Sequence, residues 1–329
     1  MPFARTIDGD INPSQLGTVN AHEHLIRMGG GEILHDGEDM RLDDTDKAVE
    51  EATTYVVGSK AFLGMGGTIV DLCPIDCGRS ITHLLEISSR VADLHIIVTT
   101  GFQKSHLYAD EATHWLSRYS VDQITELLIA DIEVGIDEHD YSGPIVKRSS
   151  GKAGSIKVAT GYGVISKLEH KIIEAAAAAS VQTGCPINTH TQHGTCAVEQ
   201  ADLLIGYGVN PAKIAIGHVQ RNPDIYALSE ITEKGCYLMF DGTYRLKYLP
   251  DSSREMLVRE LTDKGYGKQI LMGTDSGKKS YQKAYGAVSG VDYDMTVFGP
   301  RLRKQGFDEQ IIEDIYINNG REFFTFDKS

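Results

Sequence analysis

The sequence predicts an α/β chain folded as one (β/α)8 barrel of the TIM type, with a short N-terminal hairpin and a two-metal site at its C-terminal face. Three observations predict it. Eight short apolar runs alternate with helical segments along all 329 residues, the pattern of one parallel sheet; eight strands favour a barrel over an open sheet. Residue types that can grip a cation recur at the C-terminal ends of those runs, where the active sites of such barrels lie. No repeat, low-complexity tract or linker divides the chain, so residues 1–329 read as one domain large enough to bury a substantial core.

Residues 3–16 read as a hairpin turning at Asp8-Gly9-Asp10, placed to cover the barrel base. The first barrel strand spans about 17–24, followed by a glycine- and acid-rich loop over 27–43. Thr45 is positioned to cap a helix toward Leu63, with Asp46 and Glu50 in its first turns. The second strand, 68–72, is β-branched and apolar, as a buried parallel strand should be. Ile81, Leu84, Leu85, Ile87 and Val91 recur at helical spacing over 79–91. The third strand, 94–100, opens a long excursion to about Tyr119, and the next helix runs from near Ser120 to about Ile136. After the fourth strand, 154–159, Ser166 and Glu169 form a capping box before an alanine-rich helix. The fifth strand is 186–190, followed by a helix over about 195–205. The sixth, seventh and eighth strands are 213–218, 236–241 and 269–275.

Composition narrows the class of function. The chain is 41% hydrophobic and 24% charged, with a formal net charge of -14, which argues against a sequence-independent nucleic-acid binder. Five cysteines, an odd count without framework spacing, read as free thiols of a reducing compartment. Cys73 and Cys77 lack a second Cys/His pair at zinc-site spacing. The N-terminus has no signal-peptide apolar run, and no segment approaches the ~18 apolar residues of a membrane span. The expected location is the cytoplasm, with no membrane or nucleic-acid partner.

The organising stretch is Asn20-Ala21-His22-Glu23-His24-Leu25. Residues two apart on a strand share a face, so His22 and His24 project together. Later strand ends add Lys157, His190, His218 and Asp275. His35, His83, His106, His114, His139, His170 and His193 fall in loops or on helices, and His95 at the wrong end of its strand. Four histidines, a lysine and an aspartate on five strands form one constellation rather than a set of separate core polar residues. Lys157 stands inside an apolar strand, where lysine needs a partner. Burial beside two divalent cations would make its amine neutral, and a neutral amine reacts with carbon dioxide to give a carbamate able to bridge two metals. The competing reading is a salt bridge to Asp71 or Asp241 in a barrel without metal.

His22-Glu23-His24-Leu25, Ile156-Lys157, Thr189-His190-Thr191, Gly217-His218 and Gly273-Thr274-Asp275 together resemble, in order and along the whole chain, the phosphotriesterase family of the amidohydrolase superfamily. The resemblance implies that His22, His24 and Asp275 bind the more buried of two divalent metals and His190 and His218 the more exposed one. Lys157, N6-carboxylated, and a hydroxide would bridge them. Zinc is the commonest expectation; manganese and cobalt also suit nitrogen and oxygen ligands. Hydrolysis at a carbonyl or phosphoryl centre would follow, the hydroxide attacking and Asp275 carrying its proton to the leaving group. The resemblance also implies a homodimer.

The loops choose the substrate. Lys104 follows the third strand, Arg245 and Lys247 the seventh, and Lys278 and Tyr281 the eighth. Basic loops in an acidic chain point to an anionic substrate. They resemble those of a subgroup that hydrolyses five-membered sugar lactones carrying a terminal phosphate, the phosphate being held at the positions of Lys247, Lys278 and Tyr281. Lys278 departs from the arginine of that pattern, supplying charge without a bidentate fork. The alternatives are a hydrolase of uncharged esters, lactones or organophosphates, which would favour apolar walls, and a binding protein on a decayed barrel.

Overall fold

The computed structural model describes residues 2–108 and 114–326; part of the excursion after the third barrel strand, residues 109–113, lies outside them. Phe3–Thr6 (β1) and Gly9–Ile11 (β2) form the expected hairpin, and Thr325–Phe326 (β11) adds a third antiparallel strand to β1. Two residues are too short a run to be read as a strand; pairing creates it.

Eight parallel strands follow in sequence order: Thr18–Glu23 (β3), Gly67–Asp71 (β4), Leu94–Gly101 (β5), Ser155–Thr160 (β6), Ile187–Thr191 (β7), Ile214–Gly217 (β8), Tyr237–Asp241 (β9) and Ile270–Gly273 (β10). Helices surround them, and the fold is the (β/α)8 barrel that the alternation predicts. The two ends of the sheet meet where Asp275 N donates to the His22 carbonyl at 2.9 Å. At that seam a Cβ on Gly273 would stand 2.8 Å from His22 N, so the position takes glycine. The hairpin lies at the strand-start end, with Ile7 N donating to Ile96 O at 2.8 Å. There Ala4, Leu16, Phe323 and Phe324 close the apolar interior of Val19, Ala21, Val70, Ile97, Met239 and Leu271.

Local signals hold with small shifts. The helix Thr45–Leu63 is capped by Asp44 rather than Thr45: the Asp44 carboxylate accepts from Lys47 N at 3.2 Å. A residue that caps must stay extended, and Thr45 is already helical. The Ser166 capping box forms as read, heading Lys167–Thr183. The loop over 27–43 contains a short helix, Gly31–Asp36. No helix among the described residues is long and apolar enough to cross a membrane.

Strict alternation would have misdirected the site. Val19 and Ala21 both pack into the barrel interior, so an unbroken strand would turn His22 and His24 outward. The β3–β4 pairing shifts register between Asn20 and Glu23, and that irregularity resets the phase and sends both histidines into the barrel mouth.

Candidate metal centre and substrate cavity

All six constellation residues line one cavity of about 210 Å³ at the C-terminal end of the strands. His22 and Lys157 are 1% exposed, His218 2%, His24 5%, Asp275 7% and His190 8%, so the groups sit out of bulk water. His218 and Asp275 follow the ends of β8 and β10 with φ of 59° and 47°. Left-handed backbone at non-glycine residues is strained, and here it aims both side chains inward from the strand tips.

The hydrogen-bonding of each imidazole leaves one ring nitrogen for the cavity. Asp241, fully buried, accepts from His22 Nδ1 at 2.9 Å and His218 Nδ1 at 2.6 Å. Burial alone would raise its pKa; the His218 and His22 donors outweigh it and hold the carboxyl well below the usual range. An anion on Nδ1 fixes the proton there and leaves the Nε2 lone pair free. His22 Nε2 then lies 3.6 Å from Asp275 Oδ1 and 3.4 Å from Lys157 Nζ. His24 makes the same arrangement with sulfur: its Nδ1 is 3.0 Å from Cys73 Sγ and its Nε2 3.4 Å from Asp275 Oδ1. His190 is reversed, with Nε2 3.1 Å from Gln192 Oε1 and Nδ1 2.8 Å from His218 Nε2.

Burial, reinforced by Arg27, lowers His24 to about 4; burial, reinforced by Arg221, lowers His218 to about 3. His190 is pushed well below its usual value by burial and by His218. Neutral imidazoles with converging lone pairs are what a divalent cation requires. Ligand atoms of His22, His218, Asp241 and Asp275 lie within 4.8 Å of one another, a cluster able to hold a metal ion.

Burial also lowers the Lys157 pKa, against the pull of Asp275 and Asp241. No carboxylate oxygen among the described residues lies within ion-pair distance of Nζ. Asp71 instead accepts from Leu25 N and Cys73 N, and Asp241 serves the imidazoles. The salt bridge that would explain Lys157 without metal is therefore not formed.

Glu23 ties the seam together, accepting from His24 N at 2.9 Å, Ser276 N at 2.6 Å and the Thr274 hydroxyl. It positions residues on both sides of the barrel closure. Burial pushes its pKa up to about 8 against those donors.

The five basic or aromatic loop residues line the same cavity but divide into two groups. Lys247 stands over the rings of Tyr248 and Tyr281 at 4.8 and 5.8 Å, near the half-buried Lys278. Lys104 is held to Gln192 Oε1 at 2.8 Å, and Arg245 lies 2.9 Å from Asp275 Oδ2. Among the described residues, seven lysines and arginines line the cavity against three carboxylates, a local reversal in a chain of charge -14. Sequence reading missed Arg221 and Tyr248, which also line it, and did not see that Asp241 orients two histidines. Asp241 stands at a strand end and Arg221 three residues beyond His218, so position was a usable signal for both.

Residues 3–324 match the model of the phosphotriesterase family. The chain is 41% identical to a phospho-furanose lactonase of Mycoplasmopsis synoviae, over 99% of this chain and 92% of that one. Its fold superposes on the crystal structure of an amidohydrolase from Mycoplasma synoviae with a TM-score of 0.94 and 40% identity, covering 100% and 93% of the two chains. A lactonase from Listeria monocytogenes superposes with a TM-score of 0.88 and 32% identity, over 99% and 100%. With this match along the whole barrel and a metal-competent cluster at its mouth, the chain belongs to the phosphotriesterase family of metal-dependent hydrolases.

Proposed function

We propose that the protein opens a five-membered sugar lactone bearing a terminal phosphate, of the 1,4-lactone 5-phosphate type. The observation that carries this reading is the cationic cavity, with Lys247, Lys278 and Tyr281 at its mouth and the histidine cluster at its floor. The names of relatives, phospho-furanose lactonase and lactonase, agree with it. A cavity for uncharged esters would be walled by apolar side chains, and here Met40 is the sole aliphatic or thioether member of the lining among the described residues.

In this reading His22, His24 and Asp275 would hold one divalent cation and His190 and His218 a second, with Lys157, once carboxylated, as a further oxygen ligand. The donor set fits: neutral imidazoles, one carboxylate, and a buried amine with no carboxylate partner. When bound, the pair supplies Lewis-acid stabilisation of negative charge and lowers the pKa of a shared water. Asp275 takes the proton of the attacking water and returns it to the departing ring oxygen. Asp241 and Cys73 keep the imidazoles in the required tautomers. Lys247, Lys278 and Tyr281 hold the phosphate, and that remote binding orients the lactone carbonyl over the floor.

The test is kcat/KM for a panel of five-membered sugar lactones, each with and without a 5-phosphate, on metal-loaded enzyme. A preference of ~100-fold for the phosphorylated form, about 2.7 kcal/mol, is expected. Lys247→Ala or Lys278→Ala should erase most of it. Equal rates in the wild-type enzyme would rule the phosphate out and return the basic loops to ordinary surface.

A further inference from the structure

Two arginines from different loops converge on one oxygen. Arg245 Nη2 lies 2.9 Å and Arg221 Nη2 3.3 Å from Asp275 Oδ2. Both side chains are 7% exposed, and the Nε of each is buried with no hydrogen-bond partner among the described residues. Arg27 Nε, in the same cavity lining, is likewise buried without a partner among the described residues, but the Arg27 guanidinium has its own carboxylate, Glu32, 2.8 Å from Nη2, whereas Arg221 and Arg245 share one. Two guanidinium charges also outnumber the single carboxylate they share, and a cation drawing on Asp275 would widen that excess.

The arginines form an inner tier. The Arg221 guanidinium stacks on Tyr248 at 4.4 Å and that of Arg245 on Tyr281 at 4.8 Å. Lys247 stands over the same two rings. The arginines touch Asp275, whereas no contact joins Lys247, the lysine assigned to the phosphate, to that carboxylate among the described residues.

We propose that Arg221 and Arg245 form a carboxylate subsite that holds the acid group created by ring opening. The inference rests on the lactone reading above. In the reaction, the oxygen of water bonds to the lactone carbonyl carbon and the ring C–O bond breaks. The ring oxygen leaves as a hydroxyl carrying one proton of that water; the other proton is lost as the new acid ionises. An anion therefore appears at the inner end, where the substrate was neutral. Planar guanidiniums present paired donors to a carboxylate, and they bind it more strongly than the carbonyl it came from. The subsite favours charge as it develops on the acyl oxygens, and makes the protein a binder of its own product.

Calorimetric titration of metal-loaded protein with each ring-opened hydroxy acid, 5-phosphorylated and not, and with its primary amide tests this. The amide keeps the shape and removes the charge. The wild-type protein should prefer acid to amide by at least ~30-fold, and Arg221→Met and Arg245→Met should each cut that preference ~10-fold. The kcat/KM preference for phosphorylated over unphosphorylated lactone should survive in both variants. Should a methionine variant fail to fold, Arg→Lys at the same position keeps charge without the fork, and an intermediate loss is expected. An acid preference unchanged in the variants would overturn the subsite, as would loss of the phosphate preference in its place. Absence of any phosphate preference in the wild-type protein, with an arginine-dependent acid preference intact, would defeat the phosphate reading and leave the subsite standing.

Discussion

Asp241→Asn is the sharpest perturbation of the proposed metal centre, because in that ligand set Asp241 orients His22 and His218 and is not itself a ligand. The wild-type carboxylate gives Oδ2 to His22 Nδ1 at 2.9 Å and Oδ1 to His218 Nδ1 at 2.6 Å. Asparagine keeps one oxygen and presents an amide N–H to the other imidazole. That ring must move its proton to Nε2, the nitrogen facing the cavity, and loses its lone pair there. Removing such an orienting partner typically costs 10–100-fold in metal affinity or activity, about 1.4–2.7 kcal/mol. The asparagine variant should lose that amount once. Asp241→Ala, which abandons both rings, should lose it about twice, ~10²–10⁴-fold if the two histidines act independently. Chelator competition on purified protein gives the metal affinities, and the ¹⁵N shifts of the histidine rings give the tautomers. Wild-type metal affinity in Asp241→Asn, with both rings still protonated on Nδ1, would refute the assignment of Asp241 as their anchor.

Further consequences concern the lysine, the seam and pH. Metal-free wild-type protein should recover metal faster when bicarbonate is added, whereas Lys157→Met should retain little metal and show no bicarbonate response; indifference of the wild-type protein to bicarbonate would remove the carbamate. Gly273→Ala places a Cβ 2.8 Å from His22 and should destabilise by about 1–3 kcal/mol while weakening metal retention, read by melting temperature and metal content; an unchanged melting temperature would show that the seam can yield. Burial raises the Asp294 carboxyl to about 7, against the pull of Thr243 and Arg254, whereas an unfolded aspartate titrates near ~3.9. The folded state then holds the proton more tightly, so this group's contribution is fully present below ~3.9 and is lost as pH rises through about 7. Asp294→Asn should therefore gain stability over the wild-type protein progressively between pH ~4 and ~7 and hold that gain above; a pH-independent difference in melting temperature would refute it.

Much of the barrel is legible before folding because its signals are local. Apolar runs of four to eight residues, the Ser166-Glu169 capping box and the spacing of Ile81, Leu84 and Ile87 each act over a few bonds. The same locality exposes the constellation: His22, His24, Lys157, His190, His218 and Asp275 stand in or just beyond strands, and a parallel barrel gathers all strand tips at one face. The cation excess of the loops over β9 and β10 is likewise a matter of composition.

What tertiary structure alone decided depends on residues far apart in the chain. His22 meets Asp241 across 219 positions, and Glu23 meets Ser276 across 253. Such pairs exist only once the sheet closes, and no periodicity announces them. The register shift in β3 is of the same kind: the sequence marks two histidines two apart, but only pairing with β4 shows which way they turn. The Arg221–Asp275–Arg245 convergence brings together three loops whose side chains are long and rotatable, so their meeting point follows from the walls around them. Residue type and strand position therefore determined which chemistry this chain can host. Long-range packing in a low-dielectric mouth decided the hydrogen-bond partners of the imidazoles and the buried charge balance around them.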